Sequence, residues 1–195
     1  MDESLALSFT EIVSEICNAI ELANLSDMFF FGHSMGSQCA FSAYGELKRR
    51  GAEVLPQGIV VSAALPPREF FHDMAERTRR CPNDLRDDFR RLSGIPTELA
   101  DSADYERLFL SPYLSDCNAC AAHTTRDVEL LDIPMLVIGG DADDDVPAER
   151  LLRWKQYCNH THHHCQTFPG GHSYLKDNWE RVSSLMQRFF AFPQP

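Results

Sequence analysis

The sequence predicts a three-layered α/β domain built on a parallel sheet, and three observations carry that prediction. Short apolar runs recur without polar alternation, as in strands buried on both faces. Helical segments separate the runs, as parallel crossovers require. A glycine-flanked serine stands where one run gives way to the helix after it.

The elements follow in order. Ser8-Phe9-Thr10-Glu11 reads as a capping box, with Ser8 as N-cap and Glu11 at the third helical position. Ile12, Ile16 and Ile20, with Val13 and Ala23, then give the helix one apolar face. Residues 28–31 are the first strand, and the helix after the serine carries the small residues Cys39, Ala40 and Ala43 toward the sheet. Lys48-Arg49-Arg50 followed by Gly51 end that helix with the charges and the glycine its C-terminus favours. Residues 58–63 form the second strand, stopped by Pro66-Pro67. Residues 68–128 change texture to charged helical pieces broken by Pro82, Gly94, Pro96 and Pro112, as an insertion would. Residues 133–140 restore a buried strand, 147–157 are helical, 165–168 form the last strand and 177–190 the closing helix. No repeat or linker interrupts the chain, so residues 1–195 read as one domain.

Composition excludes several function classes. The chain has 195 residues, 44% hydrophobic and 24% charged, enough for one well-buried core. A formal charge of −11 argues against nucleic acid and anionic membrane as partners. Lys48-Arg49-Arg50, Arg79-Arg80 and Arg86 with Arg90-Arg91 could meet an acidic partner, but read more simply as solvated helix faces. Seven cysteines without regular spacing fit a reduced, cytoplasmic setting better than a disulfide framework. The acidic start Met1-Asp2-Glu3-Ser4 lacks the basic flank of a signal peptide, and no run is long enough to span a membrane.

The serine lies in Gly32-His33-Ser34-Met35-Gly36, a G-x-S-x-G nucleophile elbow. So tight a strand-to-helix turn strains the serine backbone and exposes its hydroxyl; glycines two residues to either side avoid collisions. The N–H of Met35, at the start of the next helix, could hold a developing oxyanion. A serine needs a base, and the base an orienting acid. In a parallel sheet such groups gather on loops at the carboxyl ends of strands, and two loops fit. Pro169-Gly170-Gly171-His172-Ser173-Tyr174 offers His172 as the base. Gly139-Gly140-Asp141-Ala142-Asp143-Asp144-Asp145 offers four aspartates: Asp143 fits best, Asp141 is the alternative, and Asp144 and Asp145 are expected to cap the next helix. The chain order Ser, Asp, His is that of an α/β-hydrolase. Phe70, Phe71, Leu108, Phe109, Leu110 and Tyr113 could roof an acyl pocket or pack the insertion's own small core. Cys158, His160, His162, His163, His164 and Cys165 form one cluster that could suggest a metal, and Cys117-x-x-Cys120 another; the histidines run consecutively into a strand, so a polar connector is the default reading and a structural metal the alternative.

Taken together, these residues resemble a type II thioesterase. That α/β-hydrolase family, which includes thioesterases of fatty acid synthesis, frees acyl chains from carrier-protein phosphopantetheine in fatty-acid, polyketide and nonribosomal-peptide synthesis. The landmarks are Phe31 through Gly36, Leu92-Ser93-Gly94-Ile95-Pro96, Leu110 through Asp116, Pro134 through Asp143, Leu152-Arg153-Trp154 and Gly170 through Leu175. The resemblance implies Ser34 as nucleophile, His172 as general base, Asp143 as its partner and residues 68–128 as a helical lid. It implies an acyl or peptidyl carrier protein as partner and no cofactor or metal. Two departures stand out: Ser173 replaces an aromatic residue, and no glycine precedes Gly32. The chain thus reads as lacking the first strands, with the loop that donates a second oxyanion N–H. Alternative readings are a carboxylesterase or lipase, or a shortened, silent module that grips a carrier protein.

Overall fold

A computed structural model describes residues 7–23, 25, 27–79, 85, 87, 89, 103–124 and 128–191. The Leu92–Pro96 landmark, the breakers Pro82, Gly94 and Pro96, the basic residues Arg80, Arg86, Arg90 and Arg91, and the acidic start Met1–Ser4 lie outside the described residues. The chain divides into two compact units, Val13–Pro66 with Asp127–Pro195, and Met1–Ile12 with Pro67–Arg126. α1 (Phe9–Ala23) runs through the boundary.

The first of these units holds a four-stranded sheet, β1 (Phe30–His33), β2 (Ile59–Ser62), β3 (Met135–Gly140) and β4 (His163–Phe168), in spatial order β1-β2-β3-β4. Every pairing is parallel. The register sets His33, Ser62, Ile138 and Gln166 in one row near the carboxyl ends. β2 and β3 are buried along their whole length, which explains their unbroken apolar sequence. β1 begins two residues later than its apolar run suggests and continues through Gly32-His33 up to the serine.

Helices cover both faces of the sheet. α6 (Leu175–Phe190) buries Val182 and Leu185 in a cluster with Val60, Leu136, Ile138, Phe168 and Tyr174. Alternation along the strands sends Ile59, Val61, Met135 and Val137 to the other face. There α2 (Met35–Arg50) turns Phe41 edge-on to Trp154, which lies in the 3-10 turn Leu152–Tyr157 after α5 (Ala148–Leu151). The Trp154 Nε1–H donates to the Ala64 carbonyl at 2.7 Å, pinning the segment that leaves β2.

Local chemistry explains the helix ends. The N–H and hydroxyl of Ser8 donate to the Glu11 carboxylate, and the Glu11 N–H reaches back to Ser8 Oγ, a complete capping box. Gly51 closes α2 with φ 70°, ψ 34°. The Lys48-Arg49-Arg50 cluster is internally neutralised: Lys48 pairs with Glu129 and Asp132, Arg49 with Glu46, and Arg50 with Glu46 and Glu21. Two sequence expectations shift. The most buried face of α1 is Phe9, Val13 and Cys17, with Ile12, Ile16 and Ile20 flanking it half-buried. The buried face of α2 carries Ser37, Gln38, Phe41, Ala43, Tyr44 and Leu47, whereas Cys39 and Ala40 are half-buried.

The second unit contains α3 (Pro67–Thr78), helical turns at Ala103–Tyr105 and Glu106–Leu110, and α4 (Ser111–Ala121). Pro112 lies just after the wider turn Glu106–Leu110, with helical backbone at Leu110 and Ser111 before it and α4 after it, so the helical path continues through it. Tyr105 and Leu110 form a small core with Phe89, Tyr113 and Leu114. Phe9, Phe71 and His123 form a second aromatic group, with ring centroids 4.4 to 4.8 Å apart. Of the six candidate pocket residues, Phe70, Phe71, Leu110 and Tyr113 thus pack within this unit, while Leu108 and Phe109 remain exposed.

Candidate functional site

Ser34 follows β1 directly and is the N-cap of α2, with φ 53° and ψ −123°. A positive φ is rare for a residue bearing a Cβ, and it is held here by neighbours. The Ser34 N–H donates to the Ser62 carbonyl at 2.8 Å. The buried Ser37 hydroxyl lies 2.8 Å from the Gly32 carbonyl and accepts from the Ser62 N–H at 3.1 Å, tying the elbow to the end of β2. Ala63, one residue beyond β2, also has a positive φ of 45°, so strain concentrates at this rim.

The two motif glycines differ. A Cβ on Gly32 would fall well inside 3.0 Å of Gly36 and Ser37 backbone atoms, so only glycine fits where α2 begins. A Cβ on Gly36 would meet nothing within 4 Å, so the collision expected at that position does not exist. Met35 is the first residue of α2, and its N–H is among those a helix start leaves without an intrahelical partner.

The loops after β3 and β4 come together. His172 Nδ1 and Asp143 Oδ2 are hydrogen-bonded at 2.8 Å, with the Asp143 side chain 1% and the His172 side chain 13% exposed. Asp143 Oδ1 also accepts from the N–H groups of Asp145 and Val146, which locks the carboxylate in place. Asp141 is close by but its Oδ1 accepts from the Gly170 N–H at 3.0 Å, so it holds the histidine loop rather than the imidazole. The N-cap residue of α5 is Pro147, whose side chain makes no capping hydrogen bond. Gly140 makes the meeting of the loops possible: a Cβ there would fall well inside 3.0 Å of the Gly170 and Gly171 carbonyl oxygens.

The residue before Ser34 brings a second imidazole that the motif alone did not flag. The His33 ring stands 5.2 Å from the His172 ring, and His33 Nδ1 is hydrogen-bonded to Ser62 Oγ at 2.8 Å. Ser62 Oγ is in turn 2.8 Å from Tyr174 Oη. Burial, and secondarily the charge His172 can carry, push His33 down to about 4. Burial raises the Tyr174 phenol above its ordinary range. His33 therefore sits beside the site uncharged near neutral pH. Among the described residues, the Ser34 hydroxyl makes no hydrogen bond to His172; such contacts often tighten only when substrate is bound.

Other reactive residues are placed elsewhere. Cys158 Sγ donates to the Ile133 carbonyl, His160 Nδ1 accepts from the His162 N–H, and the His162 ring lies on Phe189 at 4.1 Å. Cys117 and Cys120 are buried. Among the described residues no three His, Cys, Asp or Glu side chains converge on a point that could hold a metal. Burial raises the thiols of Cys17, Cys158 and Cys165, the last to about 11, so none of these three is a thiolate near neutral pH. No described helix is long and apolar enough to cross a membrane.

The chain has relatives among known proteins. The thioesterase domain family model matches residues 1–190. Thioesterase PikA5 of Streptomyces venezuelae is 29% identical over 158 residues, covering 78% of this chain and 53% of PikA5, so the chain spans about half the length of that relative. The probable anguibactin biosynthesis thioesterase AngT of Vibrio anguillarum is 24% identical over 196 residues, covering 91% of this chain and 71% of AngT. Among solved structures, the RedJ thioesterase from the prodiginine pathway of Streptomyces coelicolor has a TM-score of 0.80 at 26% identity, covering 93% of this chain and 71% of RedJ. The chain belongs to the thioesterase domain family.

Proposed function

We propose that this protein hydrolyses acyl thioesters carried on the phosphopantetheine of an acyl or peptidyl carrier protein, as a type II thioesterase, with Ser34, His172 and Asp143 as its triad. The hydrogen bond between His172 and a buried Asp143, beside a strained serine elbow, is the observation that carries this reading. The Asp143 carboxylate keeps the His172 proton on Nδ1 and leaves Nε2 free to accept the Ser34 proton. Ser34 attacks the thioester carbonyl, and the Met35 N–H supports the oxyanion. The pantetheine thiol, with a pKa of about 8.5, leaves with little need of protonation. Water, activated by the same imidazole, then releases the acid from the acyl-serine. The chemistry calls for no metal or cofactor.

Relatives named for anguibactin and prodiginine biosynthesis support a synthase carrier protein as partner. The lid role of residues 68–128 belongs to the same proposal, with the exposed Leu108 and Phe109 as the apolar side chains they offer a hydrocarbon. Two measurements test the reading: turnover on acyl-pantetheine thioesters against matched oxygen esters, and fluorophosphonate labelling of the protein and of Ser34→Ala. Thioester preference with labelling lost in Ser34→Ala is expected. Preference for oxygen esters makes the chain a carboxylesterase, and no labelling of folded protein makes it a binding module.

A further inference from the structure

Two imidazoles stand 5.2 Å apart here, one of them adjacent to Ser34 in the chain, and only one can be its base. Burial and hydrogen bonding show how the other is kept out of the reaction. Tyr174 is 2% exposed, and among the described residues its hydroxyl has Ser62 Oγ as its only partner. Ser62 is fully buried, and its hydroxyl touches Tyr174 Oη and His33 Nδ1, each at 2.8 Å. Each hydroxyl has one proton to give. If His33 carried its proton on Nδ1, that N–H would donate to Ser62, Ser62 to Tyr174, and the buried phenol proton would be left without an acceptor. The reverse direction pairs both hydroxyl donors, Tyr174 O–H to Ser62 and Ser62 O–H to the bare Nδ1 of His33, and His33 Nε2 is not among the buried atoms left without a partner. A buried donor left unpaired is the costlier choice, so the second direction prevails.

We infer that Tyr174 and Ser62 form a relay that fixes His33 as its Nε2–H tautomer and masks its lone pair, leaving His172 as the only imidazole able to take the Ser34 proton. His33 is then a positioning residue: its ring braces His172 at 5.2 Å without competing with it. The ionisable groups acting on it are His172, which when charged opposes a second positive charge, and Asp143, which favours one. The hydrogen bond from Ser62 stabilises the uncharged ring as well. Tyr174 is itself held by the Phe168 ring, 5.8 Å away and nearly parallel, so the phenol direction is set by packing. The inference rests on the thioesterase reading for its consequence, though not for its geometry.

The test is nitrogen-15 NMR of the histidine rings in the wild-type protein and in Tyr174→Phe and Ser62→Ala, with kcat and KM for an acyl-pantetheine thioester. In wild type the His33 signals should report a neutral ring, with the proton on Nε2 and Nδ1 bare, down to about pH 5. Tyr174→Phe keeps the ring stacking but removes the terminal donor. It should give mixed His33 tautomers and lower kcat about three- to tenfold, the effect of one buried hydrogen bond, with KM unchanged. Ser62→Ala should raise the pH at which His33 titrates and move the acid limb of the kcat profile with it. A wild-type His33 protonated on Nδ1 overturns the inference. So do tautomers and kcat that stay the same in both variants while thermal melting shows them folded. Absence of Ser34 labelling in wild type refutes the thioesterase reading instead, and the NMR result judges the relay on its own.

Discussion

Gly140→Ala is a decisive perturbation because it moves the histidine without touching any reacting group. A methyl there meets the carbonyl oxygens of Gly170 and Gly171 well inside 3.0 Å, and both are backbone atoms that cannot rotate aside. Reaching ordinary contact at 3.4 Å requires the loop to retreat by about 1 Å. His172 rides on that loop and is held to Asp143 by a bond of 2.8 Å. The same displacement directed along that bond would stretch it to about 3.8 Å, past the limit of a hydrogen bond. Misplacement of a catalytic group by about 1 Å costs on the order of a hundredfold in turnover. The assay is single-turnover acyl release, with thermal melting to confirm folding. Gly171→Ala is the control, since its methyl would lie at an ordinary 3.5 Å from the Ala142 carbonyl. A Gly140→Ala protein with turnover within threefold of wild type would refute the claim that this crossing sets the imidazole position.

Asp143→Asn should lower kcat about ten-thousandfold, the scale seen when a serine-protease triad aspartate becomes asparagine. The amide can keep its acceptor toward Asp145 and Val146 but turns an N–H₂ on His172 Nδ1, forcing the wrong tautomer. Asp141→Asn, measured alongside, should cost far less. Acid stability gives the third prediction. An unfolded histidine takes a proton below about pH 6.5, whereas buried His33 refuses it until about 4. Its contribution is therefore complete above pH 6.5 and is lost as pH falls toward 4, by about 1.4 kcal/mol per unit and ~3 kcal/mol in all. Denaturant titrations at pH 7, 5.5 and 4.5 should show a flatter dependence for His33→Asn; equal slopes would remove His33 as the cause.

The sequence carried the sheet because its strands are buried on both faces. Ile59 through Ser62 and Met135 through Gly140 had to be apolar or small, and an unbroken run is visible without a partner. Strand ends were harder to read where function overrides propensity. Gly32 and His33 belong to β1 although neither favours a strand, since one must clear α2 and the other faces the site. His163 and His164 open β4 behind a polar disguise. The candidates Ser34, Asp143 and His172 stood out because glycines and chain order mark their loops, and the fold hydrogen-bonds the last two. Ser62 was not: a serine ending an apolar strand acquires meaning only from its register opposite His33. The same holds for Tyr174, whose hydroxyl matters because a residue 112 positions away in the chain waits for it.

Ser34, Asp143, His172 and their supports His33, Ser62 and Tyr174 all come from Val13–Pro66 and Asp127–Pro195. The sixty residues from Pro67 to Arg126 come between Ser62 and Asp143 in the chain, and the hydrogen bonds joining His33, Ser62, Tyr174, Asp143 and His172 use no described side chain of that segment. Such an arrangement lets the length and surface of the intervening segment vary without removing any of these hydrogen-bonding side chains.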